Sequence, residues 1–69
     1  MMNRQRPYPT LKHWRQTHRL NQRAAARELG ITQASYSRME TGLQYPRRHL
    51  AKTISERTGV PLETILGLV

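Results

Sequence analysis

The sequence contains no cysteine, so neither disulfide bonds nor thiolate metal sites can stabilise its fold. Phenylalanine is absent too, and apolar residues make up only 36% of the 69 residues. A chain of this length lies near the lower limit at which one domain folds without cross-links. The core must therefore be packed from leucine and isoleucine side chains together with Trp14, Tyr36 and Met39.

Aspartate is also missing: twelve Lys and Arg residues stand against four acidic residues, all of them glutamates, and the formal net charge is +8. This basic excess is spread along most of the chain. It favours a polyanionic partner, because positive charge accelerates encounter with a phosphate backbone and supplies non-specific affinity. Charge alone suits DNA, RNA, an anionic membrane or heparin equally well, so a sequence motif is needed to distinguish among these partners.

Long apolar runs are absent, and the basic N-terminus is not followed by the apolar segment of a signal peptide. We therefore expect a cytoplasmic protein with no membrane partner. The glutamates are not paired, the histidines lack metal-ligand spacing, and no glycine-rich phosphate loop is present. The sequence thus predicts neither an enzyme nor a small-molecule substrate, and no metal or other cofactor. The glutamates and histidines considered for these roles are Glu28, Glu40, Glu56, Glu63, His13, His18 and His49.

Residues 20–42 predict two short helices joined by a tight turn. Asn21 is a good N-cap for a helix from Gln22 to Leu29, whose apolar residues recur at helical spacing. Gly30 ends this helix, because glycine enters the left-handed region without a Cβ penalty. Thr32 is a second N-cap.

The helix that Thr32 opens is predicted to continue to Thr41, with Gly42 closing it. Tyr36 and Met39 lie on its inner side, while the outer side carries Gln33, Ala34, Ser37, Arg38 and Thr41. Two helices joined by three or four residues with a glycine in the turn are typical of a helix-turn-helix.

This stretch resembles the helix-turn-helix of small phage repressor and Cro proteins, in the lambda-repressor-like (Cro/C1, XRE-type) family. The resemblance covers about residues 10 to 66 and implies an all-α, compact five-helix DNA-binding domain with the helix-turn-helix at helices 2 and 3. The residues that carry it are Leu20, Asn21, Gln22, Ala26, Leu29, Gly30, Ile31, Thr32, Gln33, Ser35, Met39, Glu40 and Gly42, with Leu11, Trp14, Arg15, Pro46, Ile54, Val60, Leu62 and Leu66 outside the motif.

The second helix of the motif is short enough to lie in a major groove, with its N-terminal residues against base edges. The Gln33 amide matches the N6 and N7 edge of adenine, and the Arg38 fork matches O6 and N7 of guanine. Ala34 suits a thymine methyl group, and Ser37 suits several bases. A phosphate contact remains the alternative for Arg38.

Phosphates are expected at the start of helix 2, where Asn21, Gln22 and free backbone N–H groups meet the positive end of the helix dipole. The resemblance implies that Gln22 binds a phosphate and also braces Gln33. Further phosphate candidates lie at or behind the reading helix: Thr32, Ser35, Gln44, Arg47 and Arg48. Arg23 and Arg27 are interpreted as solubility charges and left out of the site.

The resemblance also implies a partly buried ion pair between Arg15 and Glu40, the alternative being two solvated charges. Four residues depart from the family's pattern. Arg19 stands where the family usually has glycine, so either its φ is positive or helix 1 ends differently. Ala25, Ala51 and Thr58 stand where leucine is preferred, which predicts a thinner core and modest stability.

Outside the motif, Thr10 is expected to cap helix 1, which runs to about His18 with Thr17 or His18 continuing its apolar side. Helix 4 should span about 47–58, and helix 5 should run from Leu62 to about Leu66 or Gly67. Residues 1–9 form an irregular basic arm that either reaches DNA or stays unstructured, and residues 10–69 form the domain. Apolar C-terminal residues predict a homodimer interface or closure of the monomer core: Ile65, Leu66, Leu68 and Val69.

Two other functions remain open beside a sequence-specific transcriptional regulator, most simply a repressor of phage or bacterial type that binds a palindromic operator. A helix-turn-helix protein-interaction module, such as an antitoxin or coactivator, would need an outer face with an aromatic anchor, which Gln33, Ala34, Ser37 and Arg38 do not supply. A general nucleic-acid binder would show a steep salt dependence without a preferred duplex.

Overall fold

The computed structural model describes residues 8–68, which form five helices and no strand. This confirms the all-α fold expected from the resemblance. The helices are α1 (Leu11–Thr17), α2 (Gln22–Leu29), α3 (Gln33–Thr41), α4 (Arg48–Thr58) and α5 (Leu62–Ile65). The longest of them has 11 residues, and within residues 8–68 none has the length and apolar character of a membrane span.

The first three helices begin at the predicted N-caps, because each cap side chain accepts a hydrogen bond from an otherwise unpaired backbone N–H. Thr10 accepts from the N–H of His13 at 3.0 Å, Asn21 from that of Ala24 at 2.8 Å, and Thr32 from that of Ser35 at 3.1 Å. Each cap is local in sequence, which is why the sequence alone could identify it.

The turn between α2 and α3 depends on Gly30, whose φ of 70° lies in the left-handed region. Arg19, after α1, has a φ of 57° although it is not glycine. Of the two alternatives for Arg19, the positive φ is therefore the observed one. α1 ends at Thr17, and both Thr17 and His18 are exposed. The His18 ring nevertheless lies next to that of Trp14, with 5.9 Å between the ring centroids, so His18 continues the side of the helix that carries Trp14.

Large aromatic side chains compensate for the shortage of leucine in the core. Tyr36 is fully buried beside the small residues Ala25 and Ala51, and its hydroxyl donates to the carbonyl of Leu11 at 3.3 Å. The remaining buried apolar residues are Leu11, Trp14, Ala26, Leu29, Met39, Ile54, Val60 and Ile65.

Thr58 is buried at a position where leucine was expected, and its hydroxyl is fully used. It donates to the carbonyl of Ile54 at 2.8 Å and accepts from the N–H of Val60 at 3.1 Å. A buried hydroxyl with both roles filled carries no desolvation penalty from a missing partner. The threonine therefore fixes the end of α4 and the chain that follows.

Two helix boundaries differ by a residue or two from the sequence prediction. α4 begins at Arg48, with Arg47 as an N-cap that makes no side-chain hydrogen bond, and α5 stops at Ile65. On α4, the Leu50 side chain is half buried and packs against the buried core rather than belonging to it. Pro46 is buried ahead of α4 and precedes the cap by one residue.

The fully buried Ile54 provides a test of the core. Ile54→Val removes one methylene and should lower the free energy of unfolding by about 0.5 to 1.5 kcal/mol, because part of the cavity remains. Urea denaturation followed by circular dichroism measures the change. Leu43→Ala, at a side chain that is 80% exposed, is the control and should change it by less than about 0.5 kcal/mol.

Candidate nucleic-acid interface

α3 presents a polar outer face over its first turns. Gln33, Ala34 and Arg38 are exposed and Ser37 is half buried, whereas Tyr36 and Met39 on the opposite side are in the core. The helix has nine residues, which at 1.5 Å per residue is about 14 Å. The four side chains proposed to read bases thus share one accessible surface that a major groove is wide enough to admit.

A cleft joins the start of α2 to the start of α3. It is lined by Arg15, Asn21, Gln22, Arg23 and Gln33. Two expected phosphate ligands, Asn21 and Gln22, therefore lie beside Gln33, which is expected to read a base. Arg23, interpreted from the sequence as a solubility charge and left out of the site, also lines this cleft because it lies in the first turn of α2, two residues after the cap.

A second group of expected phosphate ligands lies beside the other edge of α3. Ser35, Gln44 and Arg47 line a groove whose floor is apolar, formed by Ile31, Met39, Tyr45, Pro46 and Leu50. Thr32 is exposed, and its oxygen accepts the capping hydrogen bond, which leaves its hydroxyl hydrogen free to donate. Arg48 is exposed but does not line this groove.

Arg15 and Glu40 form a two-point ion pair beneath the cleft. The Nε of Arg15 donates to Oε2 of Glu40 at 2.8 Å, and its Nη2 donates to Oε1 at 3.1 Å. The side chains are 16% and 5% exposed, respectively. Nη1 of Arg15 donates to the carbonyl of Leu20 at 3.1 Å, so one guanidinium connects α1, α3 and the turn before α2.

Gln22 differs from its expected role. Its Nε2 donates to Oε1 of Glu40 at 3.0 Å, and within residues 8–68 no hydrogen bond joins Gln22 to Gln33. The direct brace implied by the resemblance is therefore absent in this structure. A carboxylate oxygen can accept more than one hydrogen bond, so Oε1 of Glu40 accepts from Gln22 as well as from Arg15.

Charge and burial fix the protonation of this cluster. Burial by itself would raise the pKa of Glu40, but the hydrogen bonds from Arg15 and Gln22, with the charge of Arg15, outweigh it and hold that pKa below its usual value. The hydrogen bond to Glu40 raises the pKa of Arg15. Burial raises the pKa of Tyr36, and the nearby Glu40 carboxylate raises it further. At neutral pH the cluster holds an ion pair and a neutral phenol.

The C-terminal residues divide between core and surface. Ile65 is 4% exposed and packs in the core, which favours closure of the monomer core over a dimer interface for this residue. Leu66 is half buried, whereas Leu68 is 71% exposed. Val69 lies outside the described residues.

The loop after α3 adds apolar surface that sequence reasoning treated only as a connection. Leu43 is 80% and Tyr45 is 53% exposed. The Tyr45 ring lies over Gly67, where an added Cβ would come within 2.6 Å of ring carbons. The loop is thus in contact with the C-terminal part of the chain at Gly67. No periodicity marks such loop residues, which is why the sequence did not reveal them.

The arm predicted for residues 1–9 is described only at its end, since residues 1–7 lie outside the described part of the chain. Tyr8 is half buried against α1. Its hydroxyl is 3.3 Å from Nε2 of His18, and its ring centroid is 5.7 Å from that of His13. These contacts hold the chain against the first helix as it enters the domain.

Within residues 8–68, no cluster of three His, Cys, Asp or Glu side chains is placed to hold a metal ion.

A family model described as helix-turn-helix matches residues 11–65 of the chain. The matched range begins with α1 and ends with α5, so it includes every helix described above. Comparison with curated proteins and comparison with solved structures each returned no match.

The low pKa of Glu40 predicts acid sensitivity. Its stabilising contribution is present above the glutamate pKa of the unfolded chain, about 4.3, and is lost as the pH falls through the lower pKa of the folded state. Urea denaturation should therefore show a free energy of unfolding that falls between about pH 5 and pH 2.

Glu40→Gln should lower the free energy of unfolding at pH 7 by about 1 to 3 kcal/mol and flatten this acid decline. Glu56→Gln, at an exposed glutamate, is the matched control and should keep the wild-type pH profile. Identical profiles for the wild type and Glu40→Gln would contradict the assignment of the acid sensitivity to Glu40.

Proposed function

The chain belongs to the helix-turn-helix family of the Cro/C1 (XRE) type, and we propose that it is a transcriptional regulator that binds double-stranded DNA sequence-specifically through α3. The observation that carries this proposal is the polar outer face of α3, exposed beside a cleft that contains Arg15, Arg23 and the start of α2. A base-reading surface and a phosphate-binding surface are then adjacent, as docking of a helix in the major groove requires.

The proposed base contacts follow from donor and acceptor geometry. Gln33 offers one acceptor and two donors, which match the N6 and N7 edge of adenine, and Arg38 offers a donor fork to O6 and N7 of guanine. Ala34 and Ser37 complete the surface with a thymine-methyl contact and a hydroxyl. All four belong to α3, so a single docking pose can bring them to neighbouring base pairs.

The proposed phosphate contacts lie on both sides of this surface. Asn21 and Gln22 stand at the start of α2, where free backbone N–H groups and the helix dipole favour an anion. On the other side are side chains able to donate to phosphate oxygens: Thr32, Ser35, Gln44, Arg47 and Arg48. The net charge of +8 supplies the non-specific attraction that precedes recognition.

We further propose a homodimer that binds a palindromic operator, with two copies of α3 about 34 Å apart. Exposed apolar residues support it: Tyr45 packs over Gly67, next to Leu68 in the chain, and Leu43 and Leu68 are largely exposed. Leu66 and Val69 complete the proposed contact. Bound in this way over a promoter, a dimer would act as a repressor.

Base reading is tested by selecting a preferred duplex from a randomised pool and measuring affinities by fluorescence anisotropy. Gln33→Ala and Arg38→Ala should each lower the preference for this duplex over an unrelated one by about 1 to 3 kcal/mol. Arg57→Ala is the charge control. Its guanidinium donates to the carbonyl of Glu28, at the opposite end of α2 from Asn21, so it should weaken binding to both duplexes alike.

Preference that survives both α3 substitutions would refute the assignment of base reading to this face. Comparable affinity of the wild type for every duplex and for single-stranded RNA would instead identify a general nucleic-acid binder.

The dimer is tested by Leu68→Glu, which places a charge at a side chain that is 71% exposed. Sedimentation equilibrium should show a shift from dimer to monomer, because burying an unpaired carboxylate in the contact is costly. Gln16→Glu adds the same charge on the exposed side of α1 and should leave the dimer intact. A wild type that is monomeric in solution and when bound to DNA would overturn this part of the proposal.

A further inference from the structure

The groove beside α3 has an apolar floor that the proposed phosphate contacts do not use. Its rim is formed by Ser35, Gln44 and Arg47, and its volume is about 350 Å³, within the range of small-molecule sites. A phosphate group needs only hydrogen-bond donors and positive charge. The apolar side chains between these donors therefore call for a ligand with an apolar part: Ile31, Met39, Tyr45, Pro46 and Leu50.

The rim of the groove suits a single carboxylate. Arg47 is exposed and, although it occupies the N-cap of α4, its side chain makes no capping hydrogen bond. A guanidinium can donate two parallel hydrogen bonds to a carboxylate. Ser35 and Gln44, both half buried, add a hydroxyl and an amide that donate to the same anion. Of the described residues that line the groove, none is acidic, so the charges of groove and ligand are complementary.

The floor of the groove suits an aromatic ring. Met39 and Pro46 are buried beneath it, and Ile31 and Leu50 are half buried. Tyr45 is 53% exposed and offers its ring to a second aromatic group. Met39 carries a thioether, which also packs favourably against aromatic rings. An aromatic body that ends in one carboxylate matches both the floor and the rim.

We propose that this groove binds a small aromatic monocarboxylate, which releases the protein from DNA. The release rests on the proposed function, because Ser35, Gln44 and Arg47 are also the side chains proposed to bind phosphates at this edge of α3. A bound carboxylate occupies the donors that a phosphate needs, so the acid and DNA exclude each other. An acid that binds only the free protein lowers the apparent affinity for DNA as its concentration rises.

Binding is tested on the full chain without DNA, by titrating phenylpropionate at pH 7 and recording ¹⁵N–¹H spectra; its carboxyl group is ionised at this pH. At the ligand efficiency usual for small molecules, its size gives a Kd of about 4 mM. The largest shifts should occur at residues that line the groove. Asn21 and Arg23, in the cleft lined by polar side chains, should shift little. Largest shifts in that cleft overturn the inference.

Two matched compounds separate the contributions of charge and ring. Phenylpropanol keeps the ring and lacks the charge, whereas propionate keeps the charge and lacks the ring. Each should bind about tenfold more weakly than phenylpropionate, because each makes only one of the two kinds of contact. Equal binding of either compound overturns the inference, since the groove would then recognise only one part of the ligand.

Substitutions test the rim and the floor separately. Arg47→Gln removes the charge and should raise the Kd for phenylpropionate about tenfold. Arg48→Gln is its matched control, because the neighbouring Arg48 is also exposed but does not line the groove. Leu50→Gln places an amide on the floor and should also raise the Kd, whereas Leu43→Gln, outside the groove, should not. An unchanged Kd in Arg47→Gln overturns the inference.

The last readout is the affinity for the selected duplex, measured by fluorescence anisotropy. At about five times its Kd, phenylpropionate should lower this affinity about sixfold, and propionate at the same concentration controls for ionic strength. A decrease no larger than that with propionate overturns the inference. Binding of the acid by a protein that prefers no duplex supports the ligand site and refutes the proposed function. A preferred duplex without binding of the acid supports the proposed function and overturns the inference.

Discussion

The ion pair between Arg15 and Glu40 is the constraint on which the arrangement of the first three helices depends. It joins α1 to α3 at 2.8 Å, and the same guanidinium binds the carbonyl of Leu20 just before α2. A largely buried charge pair is stabilising only when its remaining hydrogen-bonding positions are filled. The carbonyl of Leu20 and the amide of Gln22 fill them here, so the charges that would otherwise be costly hold the helices in register.

The core around this ion pair combines small and large side chains. The small Ala25 and Ala51 and the large Tyr36 are all fully buried in this core, and burial of the phenol is compensated by its hydrogen bond to the carbonyl of Leu11. Because Tyr36 and Glu40 are four residues apart on α3, one side of this helix carries both a fully buried aromatic residue and the ion pair. The opposite side is thereby left for solvent or for DNA.

This division of α3 connects stability with recognition. Gln33 and Arg38 are exposed because Tyr36, Met39 and Glu40 hold the other side of the helix inside the protein. The cleft that joins α2 to α3 is lined at one point by Arg15, so the group that orients the helices also contributes positive charge where a phosphate is expected. Folding and the proposed DNA contacts therefore share residues.

The sequence by itself determined what depends on near neighbours: the caps at Thr10, Asn21 and Thr32, the turn at Gly30, and the family whose model matches residues 11–65. Helical periodicity also predicted which side of α3 would be buried. Only the tertiary structure decided that Ile65 belongs to the core, that Gln22 bonds to Glu40, and that Tyr45 lies over Gly67. These contacts join residues distant in the chain, and their partners depend on how the packed helices bring side chains within reach.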